Sequence, residues 1–177
     1  MYAQTVLDSP HSAKAHNNLG VQLFSRGDLE GAMAQYQIAE AIRPDYPDLL
    51  SNIGTVLSRK GRHSEAAFHL RRAVAISPMN LEIRNNLGLA LRAGGQLQDA
   101  ITEYDWIISH DPLNADAHFN KGNALYAQGK TKEAVEEYSQ TLRIDPNFEP
   151  ARSNLNAIIQ SSPSDDRVPP ISLPHGS

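Results

Sequence analysis

The apolar residues of this chain lie at helical spacing in a block that recurs every 34 residues. In each block they form two runs, separated by a glycine, that advance by three or four positions. The first block shows the pattern with Leu19, Leu23, Ala32, Tyr36 and Ala39. Such spacing places the apolar side chains on one face of a helix. The pattern therefore predicts two amphipathic helices per block, over about 13–26 and 29–43 in the first.

Glycine and proline recur with the same period and mark where these helices pack and end. One glycine series falls inside the first helix of each block, a second falls in the turn, and a proline follows the second helix. The members are Gly20, Gly54, Gly88 and Gly122, then Gly27, Gly61, Gly95 and Gly129, then Pro10, Pro44, Pro78, Pro112 and Pro146. A residue without a side chain lets two helices approach closely, and glycine also adopts the left-handed conformation that ends a helix. A period this strict predicts a repeat architecture.

A unit of 34 residues with these residues at fixed offsets resembles the tetratricopeptide repeat family. The first two units follow the family pattern closely, whereas the later units depart from it at Arg84, Ile107, Lys121 and Thr141. Lys121 replaces an expected core leucine, and we expect its methylenes on apolar surface with the ammonium in water. The resemblance implies an all-α fold, a right-handed superhelical solenoid. Its four units span 13–46, 47–80, 81–114 and 115–148.

The two ends differ from the full units. Residues 1–12 align with the second helix of the last unit, so they predict the second helix of an incomplete preceding repeat. Residues 149–160 repeat the first-helix pattern without a second helix and predict a polar-faced capping helix. Residues 161–177 hold prolines among serines and charges, without helical period, and predict a disordered tail.

Composition limits the classes of function. The net charge of −4 and the absence of a Lys/Arg run argue against nucleic acid as the ligand. The sequence lacks cysteine, which excludes disulfides and thiol chemistry. It also lacks an apolar stretch long enough for membrane insertion and a signal peptide, which favours a cytoplasmic setting. A signal or anchor removed from the N-terminus would leave the same sequence.

No motif predicts catalysis, a metal site or a cofactor. Residues 124–131 come within one residue of a phosphate-binding loop, but such a loop joins a strand to a helix, whereas this segment falls in a predicted helix followed by the turn glycine Gly129. The seven histidines form no close pair with a carboxylate partner, and no Ser-His-Asp set has a family motif. We therefore predict a protein that is not an enzyme.

In the tetratricopeptide family the first helix of each unit lines an inner, concave wall. Position six of that helix is an asparagine in every unit: Asn18, Asn52, Asn86, Asn120 and Asn154. A row of carboxamides is able to hydrogen-bond the backbone of an extended peptide without reading its side chains. This ladder resembles the asparagine-lined superhelix of O-GlcNAc transferase. The alternative is that each asparagine only satisfies a neighbouring backbone group.

In the family, positions two, five, six, nine and twelve or thirteen of each unit project into the groove. At position two, Asp48, Glu82 and Asp116 are expected to stabilise helix N-termini through the helix dipole, although an acidic binding stripe is the alternative. The other positions supply the predicted partner-binding residues. They are Asn17, Asn18, Val21, Phe24, Asn52, Thr55, Arg59, Asn86, Leu89, Arg92, Phe119, Asn120, Asn123 and Tyr126. Arg59 and Arg92 are suited to a carboxylate of the partner, although the alternative is that both are solvated. At the positions of the chaperone-binding carboxylate clamp only Asn52 agrees, and Glu82 carries the opposite charge, so chaperone tails are disfavoured as ligands.

The sequence thus predicts a non-enzymatic interaction scaffold that holds an extended peptide or a helix of a partner protein in the concave groove. Two alternatives stay open. The chain could be the substrate-recruiting arm of a larger enzyme of the glycosyltransferase type. It could also be a self-associating module, a homo-oligomer that stacks through the Tyr2 and Val6 edge of the N-terminal half-repeat.

Overall fold

The structure, a computed structural model, describes residues 12–161. Within this range the chain forms nine helices and no strand. The helices are α1 (Ala13–Ser25), α2 (Leu29–Ile42), α3 (Pro47–Arg59), α4 (His63–Ile76), α5 (Leu81–Ala93), α6 (Leu97–His110), α7 (Ala115–Ala127), α8 (Thr131–Ile144) and α9 (Glu149–Ser161). The predicted half-repeat at 1–12, except for its last residue, and the predicted tail beyond 161 lie outside the described residues.

Each turn between paired helices contains a glycine whose backbone conformation suits glycine better than any other residue. Gly27, Gly61, Gly95 and Gly129 have φ values of 84°, 74°, 79° and 80°. This left-handed region is costly for a residue with a Cβ. After Gly27, the amide of Asp28 donates to the carbonyl of Leu23 at 2.9 Å, which closes the helix end in the six-to-one pattern of a Schellman motif. The predicted role of these glycines is confirmed.

Helix starts are fixed by side chains that cap free amides. Ser12, Asp28, Asn80 and Asn114 each accept a hydrogen bond from the backbone amide three residues later, at 3.3, 2.8, 3.1 and 2.9 Å. Such a cap satisfies one of the four donors that a helix start leaves unpaired. α3 begins instead with Pro47 at its first position, where a missing N–H costs nothing.

The described residues divide into two compact units, 12–95 and 96–161. In the first unit, α1 packs against α2 and α3 against α4, and α5 packs on both α3 and α4. Leu50, Ala73 and Ile83 form a buried cluster where α3, α4 and α5 meet. In the second unit, α7 packs against α6 and α8, and α9 packs against α8. The buried layer of that unit includes Tyr138 and Leu142.

The glycines inside the first helices mark the closest approach of paired helices. A Cβ at Gly20 would lie 2.3 Å from the Tyr36 ring, and one at Gly122 would lie 2.7 Å from the Tyr138 ring. A Cβ at Gly54 would meet the Leu70 side chain at 2.6 Å. These distances are well inside van der Waals contact. The large residue on one helix therefore occupies the space that glycine leaves on the other.

Lys121 departs from the family pattern in a way that the sequence prediction described incompletely. Its side chain is 20% exposed, and its ammonium binds the Asp105 carboxylate at 2.8 Å and the Glu137 carboxylate at 2.7 Å. Burial by itself lowers the pKa of Lys121, but the hydrogen bonds to these two carboxylates outweigh burial, and the pKa is raised. The ammonium is thus held by carboxylates from α6 and α8. The sequence analysis predicted only that water would solvate it.

Thr141 departs from the family's small residue and is fully buried on α8. Its hydroxyl donates to the carbonyl of Glu137 one turn earlier at 2.9 Å, so the buried oxygen has a partner within its own helix. His118 fills the large-residue position of α7 and is buried, as predicted for packing. Its Nδ1 lies 2.6 Å from the same Glu137 carboxylate that binds Lys121. The fourth repeat therefore tolerates Lys121, Thr141 and His118 because the polar groups of these three side chains have partners.

Candidate functional site

The residues predicted to bind a partner lie on the first helices of the repeats. They occur on α1, α3 and α5 in the first unit and on α7 in the second. Within each unit, we call the surface that these helices present at those positions the A face. In the second unit the A face also includes α9. Val21 and Arg59 are exposed on it, whereas Asn18, Phe24, Leu89 and Asn120 are half-buried. Within each unit the structure brings some of them together: Asn17 with Asn52, Phe24 with Arg59, and Asn123 with Tyr126.

In the first unit, the asparagines link one repeat to the next. The side-chain amide of Asn52 donates to the Asn17 carboxamide oxygen at 2.9 Å. One repeat later, the amide of Asn86 donates to the Ser51 hydroxyl oxygen at 3.2 Å. In both cases position six donates to position five of the preceding repeat. Part of the ladder's hydrogen-bonding capacity is therefore used inside the protein, and the acceptor is a side chain rather than the backbone group considered from the sequence.

In the second unit, the asparagine at position six also donates to the preceding repeat, but to a different position. Position five is Phe119, which has no acceptor, and the Asn154 amide donates instead to the Asn123 carboxamide oxygen at 3.0 Å. The Tyr138 hydroxyl donates to the same oxygen at 2.9 Å. The oxygen of Asn123 is thus saturated by two donors, and its amide nitrogen donates to no group within residues 12–161. That amide remains available to a ligand.

The rims of the A face in the first unit carry opposite charges. Asp48 and Glu82 are exposed in the first turns of α3 and α5, and with Ser51, Asn52, Asn80 and Ile83 they line a polar recess of about 270 Å³. Arg59 lies at the other end of α3. Eleven residues of helix separate Asp48 from Arg59, which places the two rims about 16 Å apart. An acidic and a basic rim therefore border the asparagines.

The basic rim is partly ordered by aromatic stacking. The guanidinium carbon of Arg59 lies 4.9 Å from the centre of the Phe24 ring in the preceding repeat. This cation–π arrangement restrains Arg59 and leaves its N–H groups for a carboxylate. Arg92 is half-buried, and its Nε is a buried donor without a hydrogen-bond partner. Thr55 is less available than predicted, because its hydroxyl donates to the Ser51 carbonyl at 3.0 Å.

The A face of the second unit is apolar and aromatic. The Phe119 ring centre lies 5.9 Å from that of Tyr138 and 5.0 Å from that of Phe148. A recess of about 110 Å³ opens between α7 and α9, and we call it the α7/α9 recess; it is lined by Asn123, Tyr126, Tyr138, Asn154, Ala157 and Ile158. Tyr126 is 51% exposed at its edge. The sequence prediction missed Ala157 and Ile158, because α9 was interpreted only as a cap.

The described residues offer no other recognisable chemistry. Across residues 12–161, no group of three or more His, Cys, Asp or Glu side chains is arranged to hold a metal ion. No helix in that range is long and apolar enough to cross a bilayer. The residues of the near-match to a phosphate-binding loop lie in α7, in the turn at Gly129 and at the start of α8. The A face is therefore the candidate site.

Comparison with protein-family models identifies repeats over most of the described range. Residues 51–105 and 85–147 match a model described as a tetratricopeptide repeat, and residues 20–61 match one described as a TPR repeat. A search of curated protein sequences finds no match.

Solved structures share the architecture. A crystal structure of MamA is 24% identical, with a TM-score of 0.73, and the match covers 80% of this chain and 83% of that one. A chain of the APC/C hetero-tetramer Cut9-Hcn1 is 20% identical, with a TM-score of 0.80 over 89% of this chain and 32% of that one. At under 25% identity these similarities show the fold alone.

A mutant of the O-GlcNAc transferase of Thermobaculum terrenum is 26% identical, with a TM-score of 0.68 over 74% of this chain. The match covers only 26% of the transferase chain, so this chain corresponds to a minor part of that enzyme. With the helix pairs described above, these comparisons confirm the predicted all-α solenoid fold class.

Proposed function

Because this chain belongs to the tetratricopeptide repeat family, whose fold is that of a protein–protein interaction module, we propose that it holds a segment of a partner protein on its A face. The segment is an extended peptide or a helix that lies in the concave groove expected of the family. The observation that carries the proposal is the row of asparagines, which is already ordered by bonds between repeats.

The asparagines are preorganised and still have hydrogen-bonding groups available for a partner. Each of Asn52 and Asn86 uses one amide N–H to bond the preceding repeat, while its carboxamide oxygen and second N–H bond no group within residues 12–161. A peptide backbone presents both carbonyls and amides, so it is able to pair with these groups. Because the side chains are fixed before the partner arrives, less conformational entropy is lost on binding.

Charge on the two rims favours a particular kind of segment in the first unit. The acidic rim at Asp48 and Glu82 attracts cationic side chains, and the basic rim at Arg59 attracts a carboxylate. The distance between the rims, about 16 Å along α3, exceeds the width of one helix of about 10–12 Å. We therefore propose a segment with basic residues along one flank and acidic residues along the other.

The other two hypotheses gain no specific support. A role as the recruiting arm of a glycosyltransferase rests on the similarity to one such enzyme, of whose chain the match covers 26%. Self-association through Tyr2 and Val6 rests on residues 1–12, which lie outside the described range apart from Ser12. Neither has an observation on the A face that favours it over partner binding.

The first experiment asks which face meets a partner. A photo-crosslinking amino acid is placed in the full chain at Val21, which is 42% exposed on the A face, or at Gln37, which is exposed on α2. We expect proteins from extracts of the source cells to be captured through Val21 and not through Gln37. Capture of the same proteins through both positions would argue against a specific A face.

The captured protein, once purified, is then titrated against a charge-swapped variant. Glu82→Lys with Arg59→Glu neutralises the acidic rim, where Asp48 remains, and reverses the basic rim at constant net charge. Glu133→Lys with Lys132→Glu makes the same exchange on the exposed side of α8. We expect the first pair to weaken binding by roughly tenfold at low salt and the second pair to leave it unchanged. Equal affinity for all three proteins would contradict the proposed site.

A further inference from the structure

The α7/α9 recess has a size and a chemistry that suit one aliphatic side chain. Its floor is formed by the rings and chains of Tyr138 and Ile158, which are buried, and its edge by Tyr126 and Ala157, which are exposed. A volume of about 110 Å³ has room for three or four groups of the size of a water molecule, since one water takes up about 30 Å³. All six lining residues are uncharged.

The recess offers both hydrogen-bond acceptors, such as the Asn154 carboxamide oxygen, and unused donors. The amide nitrogen of Asn123 has two N–H groups without a partner within residues 12–161, because its oxygen already accepts from Asn154 and Tyr138. A segment that offers a carbonyl at this point is therefore able to pair with the Asn123 amide. Proline-containing segments have this property, since proline keeps its carbonyl and lacks the N–H. Aromatic rings such as that of Tyr126 are common docking surfaces for proline.

The sequence that follows α9 has this composition. Residues 168–174 read Val-Pro-Pro-Ile-Ser-Leu-Pro and carry no charged side chain. Proline restricts its own backbone before any contact is made, so a segment that contains it loses less entropy on binding. The charged residues Asp165, Asp166 and Arg167 lie between α9 and this segment.

The distances along the chain allow the segment to reach the recess. Ala157 and Ile158 lie on the last turn of α9, which ends at Ser161. Ser161 is about 6 Å from Ala157 along the helix axis. Six residues, 162–167, join α9 to Val168, and a chain of that length spans up to about 20 Å. A short linker of this kind gives an effective concentration on the order of millimolar, so even a weak contact is populated.

We propose that residues 168–174 of this chain occupy the α7/α9 recess, with one aliphatic side chain in the cavity and a proline carbonyl on the Asn123 amide. This inference extends the proposed function, because the recess belongs to the A face. The segment would compete with a partner that uses the second unit. Removing the contact should strengthen the binding of such a partner by roughly twofold to tenfold.

The test uses paramagnetic relaxation in the full chain. Because the sequence contains no cysteine, His175→Cys provides a single site for a nitroxide label. The signals of the side-chain amides of Asn123 and Asn154 and the backbone amide of Ala157 are compared before and after reduction of the label. We expect strong broadening at these three residues and much less at Glu136, which is exposed on α8.

Three variants establish what causes the broadening. Val168→Asp with Ile171→Asp should abolish it, whereas Ser164→Asp with Ser177→Asp adds the same charge outside the segment and should preserve it. Ala157→Glu fills the recess from an exposed position and should also abolish it. Broadening that is equal at Glu136, or that survives Val168→Asp with Ile171→Asp, would overturn the proposal.

A second copy is distinguished by mixing. Isotope-labelled chain without the nitroxide is combined with unlabelled chain that carries it, and broadening in this sample would show that the occupant comes from another molecule, which overturns the intramolecular contact. We expect no broadening there. These outcomes leave the crosslinking result at Val21 unaffected, so failure of this inference and failure of the proposed function are separable.

Discussion

Gly122→Ala tests the closest helix approach in the second unit. The new Cβ would lie 2.7 Å from Cε1 and 2.9 Å from Cδ1 of Tyr138, where carbon atoms in contact are about 3.5–4.0 Å apart. Tyr138 is buried and its hydroxyl is hydrogen-bonded to Asn123, so the ring is held in place and moves only at a cost. If the ring does move, the hydrogen bond from its hydroxyl to Asn123 is lost as well.

The expected magnitude follows from three opposing contributions. Overpacking a well-filled site costs about 1–3 kcal/mol, and loss of the Tyr138 hydrogen bond costs about 1 kcal/mol more. Replacing glycine by alanine inside a helix returns about 1 kcal/mol through helix propensity. We therefore expect Gly122→Ala to lower the free energy of unfolding by about 1–3 kcal/mol.

The assay is urea denaturation followed by circular dichroism. With a slope of about 1–3 kcal/mol per molar urea, the midpoint should fall by roughly 1 M. The matched control is Gly129→Ala, where φ is 80° and an added Cβ would meet no atom within 4 Å. That control carries only the backbone cost of about 1–2 kcal/mol for a left-handed residue.

A double-mutant cycle separates the two causes. Combined with Tyr138→Ala, which removes the ring, the cost of Gly122→Ala should fall by at least about 1 kcal/mol, while the cost of Gly129→Ala should be unchanged. An unaltered midpoint for Gly122→Ala, or additivity with Tyr138→Ala, would refute the reasoning that α7 and α8 meet at this glycine.

Two further predictions concern polar groups that join repeats. Asn86→Ala removes the donor to the buried Ser51 hydroxyl and should cost about 1 kcal/mol in urea denaturation, whereas Gln37→Ala on the exposed side of α2 should cost nothing measurable. Lys121 has a pKa raised by Asp105 and Glu137 despite burial, so its contribution to stability is complete below the unfolded pKa of about 10.4 and is lost as the pH rises through the higher folded value. Lys121→Met should therefore destabilise the protein by about 1–3 kcal/mol at pH 7 and by progressively less above pH 10, and a constant difference would contradict the ion pairs.

The fold followed from the sequence because each element depends on local rules. The 34-residue period placed Gly27 at the end of the helix, where the backbone takes the left-handed conformation. The bounds of the helices differ from the predicted ones by about one residue. The pairing of Gly20 with Tyr36 also follows from the period, since a small and a large residue recur at fixed offsets.

The details of the candidate site did not follow, because they depend on how neighbouring helices are rotated. The sequence placed Asn52 at position six of its helix. Its hydrogen bond to Asn17 also requires that α1 and α3 lie in register, which the sequence does not specify. The stacking of Arg59 on Phe24 joins different repeats in the same way. Lys121 was predicted from its own side chain alone, whereas its two carboxylates come from helices on either side of α7 along the chain. Spacing within a unit does not encode these contacts between elements.

The bonds between repeats have a consequence for how such an array changes length. At three junctions within the two compact units, the asparagine at position six donates to an acceptor in the repeat before it. The acceptors are Asn17 and Ser51 at position five, and Asn123 where Phe119 holds that position. Donor and acceptor travel together when a whole unit is copied, so tandem duplication of 34 residues adds a matched pair at the new junction. A partial duplication that separates Asn123 from Phe119 would leave the next asparagine without its acceptor. The unit of growth for this surface is therefore the whole repeat, and a ligand-binding array built this way lengthens without losing its internal hydrogen bonds.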